Sequence, residues 1–121
     1  MVNGNYNNGI DTSNDLKIVS GNITVTAVNN GLKGNDSIGI MGGDITITSE
    51  DDGIKTDNET ETNQGFFYMS GGTVDVTAAD DGIVAVTSVL ATGGELILST
   101  GDKDVNCDNT VDIADGILVS K

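Results

Sequence analysis

The chain has 121 residues, room for one domain, with 36% hydrophobic residues, 3% aromatics and 17 glycines. So few large side chains fill a globular core poorly, but a narrow aliphatic column needs only Ile, Val and Leu. A formal charge of −14, with five lysines and no Arg or His, argues against nucleic acid and anionic membranes as direct partners and is compatible with divalent cations.

Met1 to Asn8 is polar and reads as carrying no signal peptide, so a secreted protein has lost its leader or the chain is a piece of a longer one. From there a phrase recurs, a polar pair followed by glycine and an aliphatic: Asn8-Gly9-Ile10, Asn29-Asn30-Gly31-Leu32, Asp51-Asp52-Gly53-Ile54 and Asp80-Asp81-Gly82-Ile83. Gly9, Gly31 and Gly53 are evenly spaced, and the step to Gly82 is longer. A second landmark keeps time: Ser20-Gly21, Gly42-Gly43, Gly71-Gly72 and Gly93-Gly94. A fixed period of about 22 residues marks a solenoid, one repeat per coil.

Each coil holds three short segments of period-two alternation, read as half-buried strands. After the glycine pair, Ile23, Ile45, Val74 and Leu96 form one expected inward stack, and Val25, Ile47, Val76 and Leu98 another. Before it, Leu16, Ile38, Phe67 and Val89 form a third, with Ile18, Ile40, Met69 and Ala91 beside them. Ile10, Leu32, Ile54 and Ile83 follow the polar corner. The predicted fold is all-β, a single-stranded parallel β-helix of about four coils over residues 8–101. The polar segment Asp57 to Gln64 accounts for the long step and reads as a protruding loop. Cys107 is alone, so no disulfide forms within the chain, and no stretch has transmembrane length.

At the corners, Asn and Asp suit a tight turn, and glycine supplies positive φ. Asp51, Asp52, Asp80 and Asp81 nevertheless stack in neighbouring coils, where carboxylates repel and recruit a proton or a cation. Hard oxygen ligands at that charge density favour calcium, so shaping the turn and binding metal both stand as readings of these four. Asp36, Asp57 and Asp75 are expected to be solvated rather than ligating.

The runs Asp51-Asp52-Gly53-Ile54-Lys55, Gly71-Gly72-Thr73-Val74-Asp75-Val76-Thr77 and Ala79-Asp80-Asp81-Gly82-Ile83 resemble the carbohydrate-binding, polysaccharide-lyase-like β-helix family of secreted clostridial cell-surface proteins. The resemblance implies an extracellular or cell-surface location, calcium as cofactor, and a plant cell-wall, pectin-type polysaccharide as partner, without established catalysis. Members are much longer than this chain.

For sugar contact, Tyr68 and Phe66 share an outward face and suit ring stacking, although the 57–64 loop is as good a partner for them. Lys33 and Lys55 share a repeat position near the acidic corner and complete the candidate carbohydrate-binding set. β-Helix lyases abstract a proton beside calcium with an Arg or Lys base. No Arg is present, and a lysine among carboxylates keeps its proton, which disfavours catalysis. The chain's many carboxylates make a glycosidase pair uninformative. A lyase or hydrolase fragment and a plain surface adhesin without a sugar site stand as alternatives. Thr24/Thr26 and Thr46/Thr48 could suggest an ice-binding face, but Asp75 and Ile97 interrupt their columns, and β-propensity explains them.

After Thr100 the phrase falters, because Asp104 stands where the glycine is due. From there Asp104, Asn106, Asp108, Asp112 and Asp115 fall at positions 1, 3, 5, 9 and 12 of an EF-hand-type loop, and Thr110 supplies a carbonyl at 7. An amphipathic run, Ile113 to Lys121, follows as a partial helix. Residues 102–121 thus read as a second, incomplete unit that resembles the calcium repeat of a dockerin, with a fifth, irregular coil or cap as the alternative reading. That resemblance implies cohesin as partner, with contact at Ile113 and Ala114. Dockerins carry two such repeats, whereas this chain ends within the first helix.

Overall fold

The computed structural model describes residues 2–4, 7–61 and 63–121; of the polar start Met1, Asn5 and Tyr6 lie outside the described residues, as does Thr62 of the 57–64 loop. A short strand β1 (Val2–Gly4) precedes five coils of three strands each. The first coil runs β2 (Ile10–Thr12), β3 (Asp15–Ile18) and β4 (Asn22–Ala27). The second runs β5 (Leu32–Gly34), β6 (Ser37–Ile40) and β7 (Asp44–Ser49); the third β8 (Ile54–Lys55), β9 (Phe66–Met69) and β10 (Thr73–Ala78). The fourth comprises β11 (Ile83–Val84), β12 (Ser88–Ala91) and β13 (Glu95–Thr100), and the fifth β14 (Val105–Asn106), β15 (Thr110–Ile113) and β16 (Leu118–Ser120).

Like strands stack on like and every pairing is parallel. One sheet is ordered β1-β4-β7-β10-β13-β16, a second β2-β5-β8-β11-β14, and a third β3-β6-β9-β12-β15. The cross-section is a triangle whose sides are these sheets. The sequence period sets the register: Ile23 pairs with Ile45, Ile45 with Val74 and Val74 with Leu96. The predicted stacks are the core. Leu32, Ile38, Ile45, Ile54, Phe67 and Leu98 are completely buried, and Ile10, Leu16 and Ile23 of the first coil pack against them. Each such side chain contributes roughly 1.5–3 kcal/mol on leaving water. Among the described residues no coil covers the fifth, so Val111 stays 48% exposed although its equivalent Val89 is fully buried.

The tail requires a correction. Residues 102–121 form neither an EF-hand-type loop nor a helix; they continue the solenoid as its fifth coil, in register. Val105 pairs with Ile83, Val111 with Val89 and Leu118 with Leu96, each one full period on. The glycine ladder also continues. Gly21, Gly43, Gly72 and Gly94 have φ of 112°, 99°, 87° and 93°, and Gly116 joins them at 83°. Thus Gly116 is the corner glycine of the fifth coil and interrupts no helix.

Asp104 stands at the position that glycine holds in the earlier coils. A Cβ on Gly82 would lie 2.6 Å from the Asp104 carbonyl oxygen in the coil above, 3.1 Å from Thr100 Cγ2 and 3.2 Å from Leu98 Cδ1. Among the described residues no coil stacks on Asp104, and Ser120 occupies the position of Leu98. The Asp104 carboxylate instead accepts a hydrogen bond from Thr100 Oγ1 at 2.8 Å.

The predicted insertion is anchored at its base. Asn58, 6% exposed, donates to Asp36 Oδ1 at 2.7 Å, and its own oxygen accepts from the Thr60 and Glu61 backbone N–H groups. Gly65 returns the chain to register by donating to the Asp36 carbonyl at 2.6 Å.

Two substitutions test the account of the fifth coil by urea denaturation. Gly82→Asp is expected to cost ~3 kcal/mol or more through overpacking between coils. Asp104→Gly loses one hydrogen bond and should cost no more than ~1.5 kcal/mol. Equal losses would contradict the stacking explanation.

Candidate functional site

The corner joining the six-stranded sheet to the sheet that starts with β2 carries the polar pairs. The second residue of a pair turns inward and supports the next coil. Asn8 Oδ1 accepts the Asn30 N–H, Asp52 Oδ1 accepts the Asp81 N–H, and Asp81 Oδ1 accepts the Lys103 N–H, each at 3.0 Å. Asp52 and Asp81 are accordingly 5% and 6% exposed. This is the turn-shaping role that the residue types suggest. The ladder has one gap: Asn30 Oδ1 is buried without a hydrogen-bond partner among the described residues.

The first residues of the pairs face outward, and there the four predicted aspartates meet. Carboxylate oxygens of Asp51, Asp52 and Asp80 lie within 4.8 Å of one another, as do those of Asp80, Asp81 and Asp102. Asp80 belongs to both groups. Asp102 was not among the expected ligands, yet it stands one period after Asp80 and follows from the same repeat. Cationic relief is slight: Lys55 Nζ is 3.9 Å from Asp52 Oδ2. Asn106 Nδ2 donates to Asp81 Oδ2 at 2.9 Å.

The electrostatics follow from this crowding. Burial, chiefly, pushes the Asp52 carboxyl above the ordinary 3.8; the Asp81 N–H and Lys55 oppose that, while Asp51 and Asp81 add repulsion. The charge on Asp81, chiefly, raises Asp80, with desolvation, Asp102 and Asp51 adding to it. The corner therefore holds excess negative charge that a proton or a cation relieves.

The other expected residues divide among separate places. Lys33 and Lys55 are neighbours in register, as their shared repeat position requires. Lys33 is turned to Asp57, at 3.4 Å, rather than to the acidic corner. Phe66 and Tyr68 lie half-buried on the outer face of the sheet that contains β9, opposite the acidic corner in the triangle. They line a cleft of about 440 Å³ with Lys17, Ser37 and Gly39, and Asn63 and Gln64 of the 57–64 loop wall it. The loop flanks the aromatic pair without enclosing it.

The six residues of the expected EF-hand-type loop are not brought together as one ligand shell. Asp104 and Asn106 lie by the acidic corner. Asp108 follows β14, Thr110 and Asp112 lie in β15, and Asp115 stands at the next corner, before Gly116. Ile113 packs against the core, and the Ala114 N–H donates to the Ala91 carbonyl at 3.0 Å. Of the pair expected to meet cohesin, Ile113 is thus partly buried and Ala114 exposed, at the end of β15 rather than on a helix.

Comparison with known proteins agrees with this architecture. A family model described as carbohydrate-binding domain-containing protein matches residues 1–119. The chain belongs to that family. A solved structure, the polysaccharide lyase-like protein from C. thermocellum as a gadolinium derivative, is 52% identical with a TM-score of 0.96. The match covers 99% of this chain and 48% of that one. A carbohydrate-binding domain-containing protein of Acetivibrio thermocellus is 77% identical over 26 residues, 22% of this chain and 9% of its own length. The chain thus spans about half of the solved relative and a small part of the other.

A pH dependence follows from the corner. Because the folded-state pKa values of Asp52 and Asp80 are raised, the folded chain binds more protons than the unfolded chain between the ordinary and the raised values. These two groups therefore destabilise the metal-free protein at neutral pH, and that penalty disappears as pH falls through the raised values. Urea midpoints in EDTA should rise as pH falls from 7 through the raised values toward the ordinary 3.8, and Asp80→Asn should raise the pH 7 midpoint and flatten the dependence. A wild-type midpoint that falls over this interval would contradict the assignment.

Proposed function

We propose that this chain is a non-catalytic, calcium-dependent carbohydrate-binding module for a pectin-like, uronate-bearing polysaccharide of plant cell walls. The convergence of Asp51, Asp52, Asp80, Asp81 and Asp102 on one corner carries this reading. Calcium takes six to eight oxygen ligands in flexible geometry. Such carboxylates, with water and an acidic sugar, suit that demand. The crowding that raises Asp52 and Asp80 favours an ion of positive charge.

In this reading Asp51, Asp52 and Asp80 hold one ion, and Asp80, Asp81 and Asp102 offer a second, adjoining position. Bound calcium supplies the positive charge by which a polyanion approaches a chain of net charge −14. Asp52 and Asp81 keep one oxygen on the backbone of the next coil, so the scaffold fixes the ligands. A secreted, cell-surface setting suits such a module.

No group in the corner favours catalysis. Lys55 is its nearby amine, paired with Asp52, and a lysine so placed serves poorly as the base a lyase requires. Addition of millimolar calcium should raise the melting temperature and retain the chain on polygalacturonate, with both effects reversed by EDTA. Asp80→Asn, which removes the carboxylate shared by both positions, should weaken calcium binding at least about tenfold, ~1.4 kcal/mol. Unchanged melting with calcium would sink the metal assignment, and unsaturated product absorbance would establish a lyase instead.

A further inference from the structure

The cleft on the face opposite the acidic corner contains a glycine that the fold does not require. Gly39 is central in β6, which is hydrogen-bonded to β3 on one side and β9 on the other. Its φ is not positive, unlike that of the corner glycines. A Cβ there would meet only the flexible end of Met41, Cε at 3.1 Å, and no backbone atom within 4 Å. Its register neighbours are Lys17 and Tyr68, and the column continues to Leu90 and Asp112. Glycine within a strand sacrifices packing and backbone entropy, and it often marks close approach by a ligand.

The space it leaves is furnished. The rings of Tyr68 and Phe66 rise one coil away, with Lys17 and Asp15 on the opposite side and Asn63 and Gln64 at the rim. The cleft, about 440 Å³, falls within the ~300–1,000 Å³ typical of small-ligand sites. One lysine and one aspartate leave it close to neutral, in contrast to the acidic corner. Aromatic faces, side-chain amides and balanced charge suit an uncharged sugar ring, with its C–H face on Tyr68 and its hydroxyls on the polar rim.

We propose that this cleft is a second saccharide subsite, independent of metal, that takes a neutral glycan over the Gly39 floor. The proposal deepens the carbohydrate-binding reading but does not use the calcium corner. Lys33 and Lys55, on another sheet, take no part in it.

Affinity electrophoresis of the full chain in gels containing hydroxyethylcellulose, an uncharged glucan, with EDTA present, tests the idea. Wild type should be retarded. Tyr68→Ala and Gly39→Val should each lose about tenfold or more in affinity. Valine suits a central strand, so Gly39→Val should fold, as unchanged thermal melting would verify. Gly39→Val should still bind polygalacturonate in calcium. No retardation of wild type, or equal retardation of a folded Gly39→Val, would overturn the cleft, whereas loss of polygalacturonate binding by wild type would overturn the calcium reading instead.

Discussion

Parallel, in-register pairing of each coil with the next is the constraint from which the other features follow. Because every strand sits over its counterpart in the preceding repeat, a side chain's neighbours above and below are its own repeat equivalents. An aliphatic placed once per period becomes a continuous core, so a chain with 3% aromatics buries Ile, Val and Leu completely. At a turn, the same stacking places carbonyl oxygens directly over the preceding coil. Glycine at Gly31, Gly53 and Gly82 answers that crowding, each facing the carbonyl oxygen of its equivalent in the next coil.

The same constraint concentrates charge. A single aspartate pair at a turn is ordinary, but repetition stacks Asp51-Asp52 beneath Asp80-Asp81 and adds Asp102. The inward members are tied to the backbone of the next coil and cannot swing away. Their repulsion is therefore built in: it is the chief cause of the raised proton affinity of Asp80, and it adds to the burial that chiefly raises Asp52. In the first two coils asparagine fills these places, with Asn29 Nδ2 bonded to Asn7 Oδ1 at 3.3 Å, and no such charge accumulates. The change from Asn to Asp along one edge converts a structural ladder into a candidate cation site.

Much of this was legible in the sequence. The inward stacks, the three strands per coil, the insertion and the meeting of the four aspartates follow from the period alone. The fifth coil was obscured because both of its landmarks are altered: Asp104 replaces one glycine, and Asp115 replaces the first of the pair ending at Gly116. Spacing that imitates a calcium loop was the stronger local signal. The in-step positions of Val105, Val111, Leu118 and Gly116 were the better evidence. Asp102 was equally in step with Asp80. The cleft was only half visible, since Phe66 and Tyr68 stood out as aromatics, whereas Gly39 gains meaning only when its φ and its open surroundings are known.

The central claim is that the turn scaffold doubles as a calcium site. Diffraction from crystals of this chain grown in saturating calcium, with anomalous data to identify the ion, tests it most directly. The account predicts an ion held by carboxylate oxygens of Asp51, Asp52 and Asp80, with the backbone contacts of Asp52 and Asp81 retained. An acidic corner that remains without metal under those conditions, its aspartates hydrogen-bonded only to protein and water, would contradict it.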